Sequence, residues 1–318
     1  MKYTTLGRTG LRVSKLGFGA SPLGNVFGDT DAKESLRAVH CAIDNGINYF
    51  DVAPYYGRTL AEARLGQALA GKRDKVVLAT KCGRYDSDSF DFSARRLRES
   101  LDESLTRLQT GYLDLWQAHD VEYANERQIV EEAIPTMREM QKLGKVRAIG
   151  ISGLQLRMMR RIAEAAPVDA ILTYCRYNLL IEDVDELLTP FAETRGIGLI
   201  LASPLLMGVL TEGGPPRWHP ASAEVKRAGA RIVRFCAERG VRASDVAIGH
   251  CIAHRYGAAT LVGMATAEEV LQNIRAAAQP LDAEMIEGLR RTVGSVASLP
   301  WPTGRPENQD FAEMQKLA

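Results

Sequence analysis

The sequence lacks a cysteine framework. Its five cysteines, Cys41, Cys82, Cys175, Cys236 and Cys251, are odd in number, scattered and never spaced Cys-x-x-Cys. That pattern excludes a disulfide-stapled fold and a zinc knuckle, and it points to a reducing compartment. No apolar run follows the basic residues of the N-terminus, and no window reaches the roughly 18 apolar residues of a spanning helix. A cytoplasmic chain without a membrane partner is therefore expected. An excess of one charge is also missing: 40 Lys and Arg face 39 Asp and Glu, for a net charge of +1. Such a balance gives no basic surface for nucleic acid. Ser/Gly-rich linkers and fixed-period repeats are absent, and only residues 205–222, with Gly213, Gly214, Pro215 and Pro216, read as a long loop. The Gly-x-Gly-x-x-Gly dinucleotide fingerprint is absent too. Its nearest counterpart, Gly17-Phe18-Gly19-Ala20-Ser21-Pro22, sets a proline where the helix should start.

What is present is an ordinary globular mixture, 46% hydrophobic and 25% charged over 318 residues. Short β-rich runs alternate with longer helical patterns. Strands are predicted at Lys15 to Ala20, Asn48 to Ala53, Val76 to Cys82, Tyr112 to His119, Val146 to Ser152, Ala170 to Tyr174, Gly198 to Ser203 and Thr260 to Val262. Between them, Asp31 with Glu34 reads as a capping box opening a helix that ends at Gly46, and Ser93 opens another with Leu97, Leu101, Leu105 and Leu108 on one stripe. Asn125 to Leu143 and Asp183 to Thr194 continue the pattern and end at Gly144 and Gly196. Strands alternating with helices imply a parallel sheet. Eight such units suit a closed (β/α)8 TIM barrel of roughly 250 residues or more, in preference to a doubly wound open sheet. One catalytic domain over residues 1–300 and a C-terminal tail over 301–318 are expected.

In such a barrel the chemistry lies at the C-terminal ends of the strands. Asp51, Lys81 and His119 end the second, third and fourth predicted strands, and Tyr56 follows in the loop shaped by Pro54 and Gly57. A tyrosine hydroxyl ionises near pH 10 and transfers protons sluggishly at neutral pH unless a neighbour lowers that value. The Lys81 ammonium favours the phenolate, Asp51 keeps the lysine charged, and His119 orients a carbonyl oxygen. The set describes proton transfer at a carbonyl or alcohol oxygen. None of the four accepts two electrons, so a hydride carrier must come from outside. His250 and His254 are four apart, but the Glu of His-Glu-x-x-His is absent and no metal is expected.

The stretches LGRTGLRVSKLGFG, GINYFDVAPYYG, LATKCG, YLDLWQAHD, GKVRAIGIS and LVGMATAEEVLQN resemble the aldo-keto reductase family over nearly the whole chain. The resemblance implies a (β/α)8 barrel that binds NAD(P) at the C-terminal face of its strands, with Asp51, Tyr56, Lys81 and His119 as the catalytic tetrad and Tyr56 as general acid/base. Three departures stand out. Where the family carries a Ser-Asn pair and a Gln for the cofactor carboxamide, this chain has Ser152-Gly153 and Tyr174. Where a tyrosine stacks on the nicotinamide, it has Ala202, ahead of Ser203-Pro204-Leu205. The resemblance implies cofactor contacts from Ser152, Tyr174, Ser203, Leu205, Gly263, Met264, Thr266, Glu269 and Asn273. Family members that use NADP place Lys and Arg in the last of these loops, whereas residues 263–269 hold no cation and two carboxylates, Glu268 and Glu269. A 2′-phosphate would be repelled there and a ribose hydroxyl accepted, so NAD is expected over NADP.

The substrate loops are polar. Arg84 and Tyr85 follow Lys81, and Asp120, Glu122 and Tyr123 follow His119, a set suited to vicinal hydroxyls. Phe27, Trp116 or Trp218 would supply a ring face. The phrases HDVEY, SPLLMG and LVGM are similar to the branch of the family that oxidises aldoses such as L-galactose or L-fucose at C1, giving the lactone. The alternatives are an NADPH-dependent aldehyde or ketone reductase and a nucleotide-sensing subunit with little turnover. A small sugar is the expected partner, and nothing in the sequence fixes the oligomeric state.

Overall fold

The structure is a computed structural model that describes residues 1–293 and 301–310. Residues 294–300 of the expected domain and 311–318 of the expected tail lie outside the described residues. The strands are β1 (Tyr3–Thr5), β2 (Arg12–Ser14), β3 (Leu16–Gly19), β4 (Tyr49–Asp51), β5 (Val77–Cys82), β6 (Leu113–Ala118), β7 (Val146–Gly153), β8 (Ala170–Tyr174), β9 (Gly198–Ala202) and β10 (Ala259–Gly263). The helices are α1 (Ala32–Asp44), α2 (Leu60–Leu69), α3 (Ala94–Arg107), α4 (Glu126–Gln128), α5 (Ile134–Lys142), α6 (Leu156–Ala165), α7 (Val184–Leu187), α8 (Thr189–Arg195), α9 (Ala223–Ala237), α10 (Ala243–Ile252), α11 (Ala267–Ala278) and α12 (Ala283–Val293).

Strands β3 to β10 pair in parallel and close on themselves, β10 bonding to both β9 and β3. The eight strands predicted from sequence are these eight. Their residues are buried on both faces, as helix-covered parallel strands must be. Tyr49, Val77, Ala79, Leu115, Ala148, Ala170, Leu172, Ile200 and Leu261 fill the barrel interior, whereas Phe18, Phe50, Leu78, Trp116, Ile149 and Ile171 face the helices. Trp116 is fully buried in that outer layer. It therefore offers no ring face to a substrate, contrary to expectation.

The sequence reading missed the hairpin β1–β2, whose Leu6, Leu11 and Val13 join the interior cluster. The Arg8 N–H donates to Gly196 O (2.9 Å), and the Thr4 hydroxyl donates to Ala258 O (2.7 Å). Because both acceptors precede strands, the hairpin closes the end opposite the site. Two predicted helices are interrupted. Asn125 caps a short α4 that passes through a π-turn at Ile129–Ala133 before α5. The Asp183 to Thr194 pattern splits into α7 and α8 at Leu188, just before Pro190. No helix among the described residues is long and apolar enough to cross a membrane.

Candidate active site

Asp51 is the last residue of β4, and the chain then turns sharply: the Tyr56 N–H donates to Ala53 O (3.1 Å) and the Thr59 N–H to Pro54 O (2.7 Å). Gly57 adopts φ +62° with its Cα against the backbone of Gly24, and a Cβ on Gly24 would lie 2.6 Å from the Tyr56 carbonyl. Two glycines in contact thus hold Tyr56 over the barrel mouth.

Lys81, on β5, is buried and ion-paired with Asp51, and it donates to Val52 O (3.0 Å) and to the Tyr56 hydroxyl (3.3 Å). Gln117, the register partner of Lys81 on β6, donates to the other Asp51 oxygen (2.9 Å). Sequence reasoning missed Gln117; its inward position two residues before His119 was the available signal. The His119 ring stands edge-on to Tyr56 at 5.7 Å. The structure thus brings together the four residues predicted as a set.

Burial draws the Lys81 ammonium down, but Asp51 and then Tyr56 more than offset it, so its pKa lies above the ordinary lysine value. Burial raises the Asp51 carboxyl against the pull of Lys81 and Gln117. Tyr56 corrects an expectation. Lys81 lowers its pKa as anticipated, but burial outweighs that pull and the phenol sits above its ordinary value. His119 is held well below the usual imidazole value by burial and the charges of Lys81 and Arg84, so it is neutral.

Beside this set lies a second charged pair. Arg84, half-buried, forms an ion pair with the buried Asp120, and the guanidinium lies 3.9 Å over the Tyr55 ring and 5.3 Å from that of Tyr123. Tyr123 stacks on Phe90 at 4.4 Å. Tyr55 was another residue that sequence reasoning missed. Among the described residues Arg84 Nε, Asp120 Oδ1 and His119 Nδ1 are buried without a hydrogen-bond partner. Tyr85 is placed elsewhere: its ring lies beneath Arg96 of α3 (4.3 Å) and its hydroxyl accepts from the Gly83 N–H (3.3 Å). Phe27 and Trp218, both exposed, meet at 6.0 Å where two mouth loops approach one another.

Of the residues expected to hold a nicotinamide nucleotide, Ser152 and Tyr174 adjoin this pair. Ser152 receives the Asp120 N–H (3.3 Å), Tyr174 ends β8, and Ser203 has a left-handed φ of +59° just after β9. Gly19 and Ala202, half-buried, and Gly263, exposed, contribute little or no side chain at these strand ends. These small residues, with the unpartnered atoms of His119, Asp120 and Arg84 at the same mouth, suit a flat polar ring. The Met264 side chain is fully buried and adds nothing to that surface. Thr266 caps α11 in a capping box with Glu269, whose carboxylate also accepts from the Ala265 N–H (2.6 Å). Asn273 is nine-tenths buried on the same helix.

The fold adds two groups that the last loop does not contain. Glu34 of α1 accepts from the Ala267 N–H (3.1 Å) and pairs with Arg37. The predicted Asp31 cap is present, accepting from the Glu34 N–H (2.8 Å), but the Glu34 side chain reaches α11 and does not complete a box. Away from the mouth, His250 faces Glu182 (2.9 Å) and His254 faces Asp185 (2.8 Å), with Tyr177 between their rings. No group of three or more potential ligands among the described residues is placed to hold a metal.

Comparison with known proteins agrees with this geometry. The sequence profile of the aldo/keto reductase family matches residues 15–293. The chain is 42% identical to L-galactose dehydrogenase of Arabidopsis thaliana over 97% of its own length and 99% of that protein's. It is 28% identical to D-threo-aldose 1-dehydrogenase of a Pseudomonas species, over 92% and 97%. An aldo-keto reductase from Bacillus halodurans in its holo form superposes with a TM-score of 0.79 at 26% identity, covering 98% of this chain and 100% of that one. The chain belongs to the aldo/keto reductase family and is an oxidoreductase of the kind that works with a nicotinamide cofactor.

Proposed function

We propose that the protein oxidises an aldose at C1 to its lactone, with NAD as the preferred cofactor and Tyr56 as the proton acceptor. The observation that carries this reading is the pairing, at one mouth, of the Asp51–Lys81–Tyr56 chain with an Arg84–Asp120 pair that still has a buried donor and a buried acceptor without partners among the described residues. An apolar aldehyde would leave Arg84 Nε and Asp120 Oδ1 unsatisfied, whereas the hydroxyls of a sugar satisfy both. The exposed Phe27 and Trp218 rings offer an apolar platform for the C–H face of the same sugar. The names of the relatives, L-galactose dehydrogenase and D-threo-aldose 1-dehydrogenase, support the same substrate class.

The bound nicotinamide supplies the acceptor for the hydride leaving C1. The hydroxyl proton of C1 passes to the Tyr56 oxygen as the C1–O bond becomes a carbonyl. Lys81, kept charged by Asp51, stabilises the negative charge that Tyr56 must carry to accept it. His119 is neutral and offers one N–H to the C1 oxygen without adding a competing charge. Ser152, Tyr174, Ser203, Leu205, Gly263, Thr266 and Asn273 would bind the nucleotide. Glu34, Glu268 and Glu269 concentrate carboxylates at the start of α11, where a 2′-phosphate would be repelled.

Initial rates of nicotinamide absorbance test the reading, with NAD and NADP each offered L-galactose, L-fucose, D-arabinose and D-glucose, and an aromatic aldehyde run in reverse. The expected result is an NAD signal with one or two of the aldoses. Activity confined to NADPH and the aldehyde would overturn it.

A further inference from the structure

Glu122 is a fully buried carboxyl that the chemistry above does not use. It lies in the single turn Val121–Tyr123, directly after Asp120, and that turn is closed by the Tyr123 N–H donating to Asp120 O (3.1 Å). One side-chain oxygen accepts from the Leu154 N–H (2.9 Å) and the Thr303 hydroxyl (3.2 Å). The other has no partner among the described residues and lies over Gly153, where a Cβ would collide with it. Its backbone carbonyl accepts from the Arg305 N–H (2.9 Å) and Asn308 Nδ2 (2.8 Å). Segment 301–310 is anchored at its far end by Asp310, which accepts from the Leu156 and Arg157 N–H groups (2.9 and 3.1 Å) and pairs with Arg176 (3.0 Å). Glu122 thus joins three pieces: the turn carrying Asp120, the end of β7, and the C-terminal segment.

We propose that Glu122 is a positioning residue for substrate recognition, fixing the Asp120–Arg84 pair by tying its turn to β7 and to segment 301–310. Gly153 is the necessary counterpart, since any side chain there would displace the carboxyl. The proposal rests on the reading that Asp120 and Arg84 recognise the sugar.

The protonation of Glu122 makes it testable. Burial, and next the charge of Asp120, push its carboxyl up to about 8. The charged and titratable groups around it are Asp120, Tyr123 and Tyr174, with Arg84 beyond Asp120 and the Arg176–Asp310 pair behind Leu154. Below pH 8 Glu122 is neutral and Asp120 pairs with Arg84 without a second negative charge beside it. Above it, a second buried negative charge stands against the Asp120 carboxylate, and the repulsion disturbs the pair that Asp120 makes with Arg84.

The experiment measures KM for the active aldose between pH 6.5 and 9.5 in the wild type, Glu122→Gln, Glu122→Ala and Thr303→Val, together with the dissociation constant of NADH from fluorescence titration. In the wild type KM should climb above pH 8, by at most about tenfold per pH unit. Glu122→Gln should keep the wild-type KM at pH 7 and lose the alkaline climb. Glu122→Ala should raise KM at every pH, Thr303→Val should raise it less, and NADH binding should be unchanged throughout. An alkaline climb in Glu122→Gln identical to that of the wild type would overturn the proposal. So would a Thr303→Val enzyme with unaltered KM, a result available even where Glu122→Ala fails to fold. Asp120→Asn separates the two readings: if it leaves KM for the aldose unchanged, the assignment of the sugar site fails; if it raises KM while the Glu122 variants do not, the positioning role alone fails.

Discussion

Replacing Lys81 with Met leaves Asp51 as a buried carboxylate whose remaining side-chain donor among the described residues is Gln117 at 2.9 Å. Breaking a buried ion pair in this way costs about 3–5 kcal/mol. Asp51 can limit that cost by taking up a proton. An unfolded aspartate ionises near pH 3.9, and each pH unit is about 1.4 kcal/mol, so keeping Asp51 neutral costs about 4 kcal/mol at pH 7 and about 1.5 kcal/mol at pH 5. The sign follows from proton uptake. In the variant the folded state binds the proton more tightly than the unfolded state, so relative stability rises as pH falls towards the unfolded value. The Lys81→Met penalty should therefore shrink by about 2–3 kcal/mol between pH 7 and pH 5, read from urea denaturation at both values. Adding Asp51→Asn removes the orphaned charge and should restore most of the stability at pH 7 without restoring turnover. Equal penalties at both pH values, or a double variant no more stable than Lys81→Met, would refute the reasoning.

Tyr56→Phe removes one hydrogen bond of 3.3 Å but the whole proton acceptor. Turnover should fall by about 10²–10⁴-fold while NADH binding, followed by fluorescence, stays within about twofold. Because burial holds the Tyr56 phenol above its ordinary value, kcat for oxidation, which needs the deprotonated form, should rise with pH through the neutral range. Reduction, which needs the phenol, should stay flat there, and paired pH–rate profiles in the two directions check both. Glu268→Lys places a cation at the start of α11 and should shift the ratio of kcat/KM for NADP over NAD upward by about tenfold.

Some of this architecture needed nothing beyond local sequence. The apolar runs and the caps Asp31 and Ser93 mark βα units, because strand burial and helix capping are short-range signals. Hairpin β1–β2 escaped notice because its three-residue strands carry too little pattern, and the helix after Asp183 reads as continuous until Pro190 breaks it. Asp51, Tyr56, Lys81 and His119 could be grouped from sequence because barrel topology alone carries strand ends to one mouth.

Their environment could not be read in the same way. That Tyr56 is driven up more by burial than down by Lys81 depends on how much water the closed mouth excludes. That Tyr85 turns to α3 while Tyr55 lies against Arg84 depends on loop paths set by distant packing. Glu34 reaching α11 across more than two hundred residues, and Glu122 held by Thr303 from the far end of the chain, are contacts of the closed barrel. The sequence determined which chemical groups stand at the ends of the strands, because spacing and periodicity are local properties. Tertiary structure decided which of them lose water, which are paired and which oxygen is left without a partner, because desolvation and Coulomb interaction act through space and not along the chain.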